Sequence, residues 1–345
     1  MNNFVRNTGR DEYFRLREQE TLRFVDPKTK ELYSNLAKSI TCPICNIDDS
    51  RLIFKKSGFK FVQCGKCGLI YVNPQLDENK LLNLYESSPA NDLWIDVLLS
   101  EEQYNFNVKE FTEIIETVEK YTSGGKMLDL GCSIGLFLKI AKGRGWDTLG
   151  IELNERAIRH AREEFGLNII DKKLEHSNIE DESFDVVTIL GVLEHVSDPA
   201  GLLREINRVL KKNGILMILV PNVNSLAAKI MHEKTATFDG KNHLFYFSID
   251  TLSKLVHKSG YEVLHTYTGI SSIDPIINYM NYRDPYTTEN TNTKPGLAEL
   301  VRSLNLSNFE PEMRELNDEE LRERIEKFIY DSNLGYRIYM FARKI

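Results

Sequence analysis

The sequence predicts an α/β fold: a doubly wound, mostly parallel β-sheet preceded by a small metal-binding module. Two observations support this. Between residues 124 and 268, short apolar segments alternate with amphipathic helical segments, which is typical of parallel strands covered by helices on both faces. Near the N-terminus, four of the five cysteines fall in two Cys-x-x-Cys pairs, a spacing that indicates a metal site more than disulfides.

Composition limits the class of protein. The chain has 345 residues, of which 41% are hydrophobic and 28% charged, as in ordinary globular proteins of one large domain or two to three modules. The first twenty residues have no apolar stretch typical of a secretory signal, and no apolar run approaches the length of a membrane span. We therefore expect a cytoplasmic protein without a membrane span. The net charge of -7 argues against a general nucleic-acid binder.

The pattern divides the chain into five parts. They are an N-terminal extension without recognisable chemistry (1–38), a zinc ribbon (39–75), a helical linker that packs on the core (76–123), the sheet domain (124–270 plus 335–345), and a polar, helical insertion before the last strand (271–334). The insertion is interpreted as a lid over the site or as the contact of a homodimer, and the sequence favours neither.

The zinc ribbon rests on Cys42, Cys45, Cys64 and Cys67, with eighteen residues between the two pairs. Four thiolates complete a tetrahedral zinc site, so the metal is expected to be structural rather than catalytic. Alternating apolar residues between the pairs predict short strands. An alternative is that the basic residues of this module contact nucleic acid, although a solvated face explains them better. These residues are Arg51, Lys55, Lys56, Lys60 and Lys66.

The segment 126–135, KMLDLGCSIG, predicts a strand, a glycine turn and the start of a helix. Gly131 and Gly135 allow the backbone to approach a ligand closely. Their spacing differs from the dinucleotide-binding fingerprint. Asp129 suits a ligand that carries a positive charge. Cys132 is most simply explained as a small side chain under close backbone.

The remaining elements follow in order. The predicted strands are Lys126–Leu130, Thr148–Leu153, Asn168–Asp171, Phe184–Leu190, Ile215–Val220, Tyr261–Thr268 and Tyr336–Ala342. The predicted helix boundaries are an N-cap at Asn154 with a stop at Gly166, an Asp198–Pro199 start with a stop at Gly214, and an N-cap at Ser248 with a stop at Gly260. Before the sheet, one helix is predicted to bury Tyr104, Val108, Phe111, Ile115 and Val118.

Three features are expected at the carboxyl edge of this sheet, where doubly wound folds bind ligands. The first is the glycine turn with Asp129. The second is Glu152, twenty-one residues after Gly131 at the end of the second strand, where an acid can accept both hydroxyls of a ribose. The third is the turn after the fourth strand, which carries Glu194 and His195.

Together these motifs resemble class I S-adenosylmethionine-dependent methyltransferases. The resemblance rests on DLGCSIG, GIEL and SFDVVTILGVLEHVSDP, and covers about 124–268 and the final strand. GILMILVPN followed by HLFYFSIDTLSKLVHKSGYEV is similar to the small-molecule branch akin to ubiquinone-pathway O-methyltransferases. A four-cysteine ribbon ahead of such a domain resembles some sugar methyltransferases.

The resemblance implies a Rossmann-like sheet of seven strands, six parallel and the last antiparallel, and S-adenosylmethionine as the cofactor. Gly131 and Gly135 would lie beside its methionine portion, Asp129 near its ammonium group, and Glu152 at the ribose hydroxyls. The other expected cofactor contacts are Leu174 and Glu175 at the adenine, Leu190 and Gly191 at the methionine end, and the adjoining Cys132 and Leu153. The chain departs from the usual pattern at Lys173.

The expected reaction is methyl transfer by in-line displacement to a small-molecule acceptor, a hydroxyl of a sugar or another metabolite. A hydroxyl needs a general base, and the candidates are His243 and His195, with Glu194 beside the latter. An alternative is that Glu194 and His195 only shape a turn. A second hypothesis is an RNA methyltransferase that uses the ribbon to bind RNA, and a third is a non-catalytic scaffold.

Overall fold

The structure, a computed structural model, describes residues 8–80, 88–270 and 317–345. Their described parts form two compact units. The first comprises 8–80, 88–221, 236–266 and 338–345, and the second comprises 222–235, 267–270 and 317–337. Most of the predicted insertion, 271–316, lies outside the described residues, so its role as a lid or a dimer contact stays a prediction.

The N-terminal part of the first unit contains a helix and a small sheet. Its elements are α1 (Arg10–Leu22), β1 (Ala37–Lys38), β2 (Ser50–Lys56), β3 (Phe59–Cys64), β4 (Ile70–Val72) and β5 (Gln75–Leu76). Strands β2 and β3 form the antiparallel hairpin that the alternating pattern predicts, with Ser50 opposite Cys64. Strand β4 pairs antiparallel with β3, and β5 pairs with β1.

Two helices come next, and the strands of the central sheet then alternate with further helices. In chain order these elements are α2 (Pro89–Leu99), α3 (Glu101–Val118), β6 (Lys126–Leu130), α4 (Leu136–Gly143), β7 (Asp147–Ile151), α5 (Glu155–Phe165), β8 (Ile169–Ile170), β9 (Phe184–Leu190), α6 (Pro199–Val209) and β10 (Leu210–Pro221). The rest are α7 (Leu226–Met231), β11 (Phe245–Tyr246), α8 (Ile249–Lys258), β12 (Tyr261–Gly269), α9 (Asp318–Asp331) and β13 (Arg337–Lys344).

The central sheet has seven strands in the order β12-β13-β10-β9-β6-β7-β8. Strand β10 pairs in parallel with β9, β9 with β6, β6 with β7 and β7 with β8, and the last strand, β13, runs antiparallel. The central strand β9 is almost wholly apolar and buried, as a strand covered on both faces must be. The predicted fold class is therefore confirmed.

Local capping signals place several helix ends correctly. The Asn154 side chain accepts a hydrogen bond from the backbone N–H of Ala157 at 3.0 Å, and α5 ends at Gly166 in the left-handed region. Asp198 caps α6 ahead of Pro199, and Ser248 caps α8. These signals act within one turn of helix, so sequence alone identifies them.

The predicted helix stop at Gly214 is wrong. Helix α6 ends at Val209, and Gly214 lies inside β10, where the pairing with β9 shifts register between Leu210 and Ile215. A Cβ atom at Gly214 would lie 2.9 Å from the carbonyl oxygen of Lys211. The glycine is therefore needed by an irregular strand, not by a helix terminus.

Helix α3 buries a polar row that the sequence pattern did not reveal. The predicted face is only partly buried at Tyr104, whereas Gln103, Asn107 and Glu110 are buried. Gln103 donates to Asn107 at 2.7 Å and accepts from Arg10 of α1, and Glu110 accepts from a tyrosine of β13. Polar groups can be buried here because they bond to one another.

The small N-terminal sheet gains its fourth strand from far along the chain. Strand β11 pairs antiparallel with β4, with Phe245 opposite Tyr71. Buried residues of the cysteine module also belong to the same hydrophobic cluster as the central sheet, for example Leu69 and Val187. The module and the methyltransferase-like sheet therefore share a continuous core.

A substitution at Gly240 would test how closely the segment before β11 packs against the small sheet. It has φ +72°, and a Cβ atom there would lie 2.7 Å from Phe59 at the start of β3. We expect Gly240→Ala to lower the free energy of unfolding by about 2–4 kcal/mol, from steric overlap and backbone strain together. Urea denaturation followed by circular dichroism measures this loss.

The matched control is Gly145→Ala. Gly145 has φ +95° but nothing within 4 Å of its Cβ position, so only the backbone strain remains, about 1 kcal/mol. An equal loss in both variants would contradict the close packing of Gly240 on Phe59.

Candidate active site

The glycine turn follows β6 and leads into α4. Gly131 and Gly135 have φ values of +70° and +81°, which a glycine adopts without strain. A Cβ atom at Gly131 would lie 2.6 Å from Val192 in the turn after β9. The backbone N–H groups of Gly131 and Cys132 donate to the carbonyl of Ile151 at 2.8 and 3.1 Å. The turn is therefore fixed to the end of β7, with Gly131 exposed at the carboxyl edge of the sheet.

Glu152 lies directly after β7 and is oriented by the backbone. Its carboxylate accepts from the N–H groups of Ser133 at 2.8 Å, Leu153 at 2.7 Å and Asn154 at 2.9 Å. Ser133 belongs to the glycine turn, so Glu152 connects that turn with the start of α5. A carboxylate has about four acceptor positions, and the partly exposed Glu152 keeps capacity for a ligand hydroxyl.

Asp129 is buried near the end of β6. Burial raises the pKa of its carboxyl to about 7, the charge of Glu152 acts in the same direction, and a hydrogen bond from Thr188 opposes both. The Thr188 hydroxyl donates to Oδ1 of Asp129 at 2.6 Å. Near neutral pH this carboxyl is close to half ionised, and a cationic ligand group would favour its charged form.

The remaining predicted cofactor residues lie at the same edge of the sheet. Cys132 is buried, and its sulfur lies 2.6 Å from the ideal Cβ position of Gly150, so its side chain packs under the turn. Leu174 is buried in a short 3-10 turn, and Glu175 is exposed. Leu153, Leu190 and Gly191 are half-buried at strand ends. Their cofactor contacts stay predictions.

Lys173, where the chain departs from the usual family pattern, forms an ion pair with Glu78 at 3.0 Å. This contact joins the turn after β8 to the segment that follows the cysteine module. The positive charge of Lys173 is therefore balanced by Glu78.

The predicted catalytic residues form a cluster. The ring centroids of His195 and His243 are 4.7 Å apart, and Nε2 of His195 lies 3.9 Å from Oε1 of Glu194. The carbonyl of Glu194 accepts from the N–H of Leu244 at 2.8 Å. This bond holds the chain after His243 against the turn after β9.

Each imidazole is oriented by a backbone carbonyl. Nδ1 of His195 lies 2.9 Å from the carbonyl of Asn242, and Nδ1 of His243 lies 2.9 Å from the carbonyl of Thr237. A carbonyl only accepts, so Nδ1 carries the proton in both rings. Burial lowers the pKa of both histidines. Both rings are therefore neutral at pH 7, with Nε2 as the nitrogen that can accept a proton or bind a metal.

The cluster adjoins the glycine turn. Val192, which contacts the Cβ position of Gly131, and Glu194 belong to the same turn. Oε1 of Glu194 lies 3.8 Å from the ideal Cβ position of Gly191. The predicted cofactor residues and the predicted base thus meet at the turn 191–195.

Two groups among the described residues could hold a metal ion. Their donor atoms lie within 4.8 Å of one another, and the groups are Cys42, Cys45, Cys64 and Cys67, and Glu194, His195 and His243. The cysteines form no disulfide, and the sulfurs of Cys42 and Cys67 are 3.5 Å apart. Although burial acts to raise it, backbone N–H groups of Cys67 and Lys66 lower the pKa of Cys64 to about 7. Four convergent thiols, one readily ionised, fit zinc.

Sequence reasoning missed the residues that support the histidines. Thr237 and Asn242 act through backbone carbonyls, which no side-chain motif reveals. Asp239 accepts from the N–H groups of Asn242 at 2.7 Å and His243 at 3.2 Å. An acid four residues before His243 was the only signal available.

Comparison with known proteins finds a match for the part of the chain that contains most of the central sheet. Residues 104–266, 163 of 345, match the family described as methyltransferase domain. This part of the chain is therefore similar to methyltransferase domains, which confirms the resemblance seen in the sequence.

Relatives among curated proteins include ubiquinone biosynthesis O-methyltransferases. That of Pseudomonas aeruginosa (strain UCBPP-PA14) is 33% identical over 111 residues, which cover 30% of this chain and 48% of that protein. That of Methylococcus capsulatus is 32% identical over 125 residues, which cover 34% of this chain and 52% of that protein. The chain thus spans about half the length of these relatives.

Solved methyltransferases are more distant. A crystal structure of an S-adenosylmethionine-dependent methyltransferase from Archaeoglobus fulgidus is 18% identical and covers 68% of this chain and 92% of that chain, with a TM-score of 0.43.

The raised pKa of Asp129 gives a prediction for cofactor binding. An ammonium group beside Asp129 requires the ionised carboxylate, whereas the ligand-free protein keeps its proton up to about pH 7. Binding therefore releases a proton, and affinity for S-adenosylmethionine should rise about five- to tenfold from about pH 6 to about pH 7.5. Calorimetric titration across this range measures the change.

The control is Asp129→Asn, which can still accept from Thr188 but does not titrate. It should bind more weakly and with little dependence on pH. A pH dependence that is the same in Asp129→Asn and the wild type would contradict the assignment.

Proposed function

We propose that this chain transfers a methyl group from S-adenosylmethionine to a hydroxyl of a small molecule, a sugar or another metabolite, and that its four clustered cysteines hold a structural zinc ion. The observation that carries the proposal is the pair of neutral, carbonyl-oriented imidazoles, His195 and His243, at the turn that also contacts Gly131. The methyltransferase domain and its O-methyltransferase relatives support it.

The cofactor, when bound, supplies an electrophilic methyl group on a sulfonium. Gly131 leaves room for the methionine portion of the cofactor, whereas Gly135 lets the turn pack closely on Leu167 and Ala161. The Asp129 carboxylate balances the cofactor's ammonium charge, and Glu152 accepts from its ribose hydroxyls. His243 accepts the proton of the acceptor hydroxyl at Nε2, because Nδ1–H is fixed on Thr237. His195 is the alternative base, with Glu194 beside it to stabilise the protonated ring.

The acceptor class follows from charge and from the relatives. The net charge of -7 disfavours a polyanionic acceptor such as RNA, and the relatives are named for small-molecule O-methylation. The alternative, an RNA methyltransferase that binds RNA through the ribbon, would show salt-dependent RNA binding. The proposal expects no such binding at physiological salt.

The deciding experiment is calorimetric titration of S-adenosylmethionine into wild type, Glu152→Ala and Glu155→Ala. Glu155 is an exposed acid at the start of α5 and serves as the matched control. We expect one site per chain in the wild type, binding weaker by about 10- to 100-fold in Glu152→Ala because a charge-assisted hydrogen bond is lost, and no change in Glu155→Ala. Equal affinity in all three would remove the ribose assignment, and no binding to wild type would contradict the proposed activity.

A second candidate role for the histidine cluster is favoured by one observation. The donor atoms of Glu194, His195 and His243 lie within 4.8 Å of one another, and carbonyl-bonded Nδ1–H groups are typical of metal-binding histidines. A divalent cation held there would polarise the acceptor hydroxyl in place of a histidine base.

Metal analysis of the purified protein distinguishes these roles. If the cysteines hold zinc and a histidine is the base, the protein should contain one metal ion per chain. Cys64→Ser should lose this metal. It should also have a lower thermal midpoint, because the cysteine module shares the main core. Cys132→Ser is the matched control and should keep the metal. A second equivalent that disappears in His243→Gln would favour the cation. A metal-free wild-type protein would exclude both metal sites.

A further inference from the structure

Helix α1 lies in the N-terminal extension, for which the sequence indicated no chemistry. Two of its charged residues, Arg17 and Glu20, are one turn apart and therefore share a face. The Glu20 side chain is only 4% exposed and that of Arg17 16% exposed. Burial of charges on a terminal helix is unfavourable unless each has a partner of opposite charge.

Both partners lie in residues 236–243, here called the histidine segment. Nη1 of Arg17 lies 3.3 Å from Oδ2 of Asp239, and Nη2 donates to the carbonyl of Ala236 at 3.4 Å. Oε2 of Glu20 lies 2.8 Å from Nζ of Lys241, which is 2% exposed. Helix α1 thus contacts the segment at three residues.

Glu20 also fixes helix α1 to the rest of the first unit. Its Oε1 accepts from the hydroxyl of Ser88 at 2.6 Å and from the N–H of Ala90 at 3.1 Å, at the start of α2. One carboxylate therefore links the histidine segment to two helices.

The contacted residues alternate with those that orient the imidazoles. Thr237, whose carbonyl fixes His243, lies between Ala236 and Asp239. Asn242, whose carbonyl fixes His195, follows Lys241 directly. The Asp239 carboxylate that pairs with Arg17 also accepts from the backbone N–H of His243.

From this arrangement we infer that Arg17 and Glu20 are positioning residues of the active site. They hold the histidine segment so that its carbonyls keep both imidazoles in the Nδ1–H form, with Nε2 available for chemistry. The catalytic meaning of this arrangement rests on the proposed function, in which one of these rings is the base. The structural effect on the rings does not.

The test uses ¹⁵N-histidine-labelled full-length protein and NMR, which needs no methyl acceptor. His195→Gln and His243→Gln assign the two ring signals. In the wild type we expect both rings neutral, with protected Nδ1–H protons. Arg17→Gln should lose the Nδ1–H signal of His243 or exchange it at least about tenfold faster, and Glu20→Gln should do the same for His195, because the segment then opens locally.

Arg15→Gln is the matched control. Arg15 lies on the same helix but pairs with Glu12 in solvent, so both ring signals should be unchanged. Arg17→Lys, which keeps the charge, should restore the His243 signal at least partly. A general loss of stability would not change the tautomer of one ring, nor would it explain why Arg17→Lys restores that ring's signal.

Misfolding is addressed by a charge exchange. If Glu20→Gln does not fold, Glu20→Lys combined with Lys241→Glu re-forms the pair in reverse and should restore the His195 signal relative to Glu20→Lys alone. Unchanged ring signals in Arg17→Gln and Glu20→Gln would overturn the inference. Failure of the proposed function would appear separately, as absent cofactor binding in the wild type, with the NMR result intact.

Discussion

The need to satisfy buried backbone and buried charge in residues 236–246 organises the first unit. A buried N–H or C=O group without a partner is costly, and this irregular stretch takes its partners from several directions. Strand β11 pairs with β4 of the cysteine module, Leu244 donates to the turn after β9, and Lys241 pairs with helix α1. Three distant stretches of sequence therefore meet where the histidines lie.

Two buried aspartates show how the same fold shifts the pKa of a carboxyl in opposite directions. Although burial acts to raise it, the charge of Arg17 and the backbone N–H groups of Asn242 and His243 hold the pKa of Asp239 below its usual value. Asp129 accepts a hydrogen bond from the Thr188 hydroxyl and faces the charge of Glu152. The effect of burial therefore prevails, and the pKa of Asp129 rises to about 7. Asp239 is thus ionised by the protein itself, whereas Asp129 would need a cation beside it to be fully ionised near neutral pH.

The sequence predicted what depends on local or periodic signals. The strand Phe184–Leu190, the cap at Asn154 and the four-cysteine cluster are all as expected, because each is encoded within a short stretch or by spacing. The predicted helix end at Gly214 was wrong because sequence alone does not distinguish a glycine in a bulged strand from one that ends a helix.

Sequence motifs contain the candidate site residues but not the residues that support them. Glu152, Glu194 and His243 stand in motifs, whereas the pairing of Glu20 with Lys241 joins residues 221 positions apart. No period or spacing connects such residues, and a charged residue on a terminal helix normally indicates solvent. Only the folded chain shows that these charges are buried against each other.

The position of the cysteine cluster suggests why a methyltransferase domain would carry a metal module. Four thiolates leave a metal no open position, so it would not take part in the transfer itself. Its sheet, however, continues through β4 into β11, two residues after His243. Helix α1 forms ion pairs with Asp239 and Lys241, which precede His243 in the same segment. The loop that carries His243 is thus held by ion pairs to helix α1 before it and by the sheet of the cysteine module after it. This arrangement fixes an otherwise irregular loop, as the proposed general base would require.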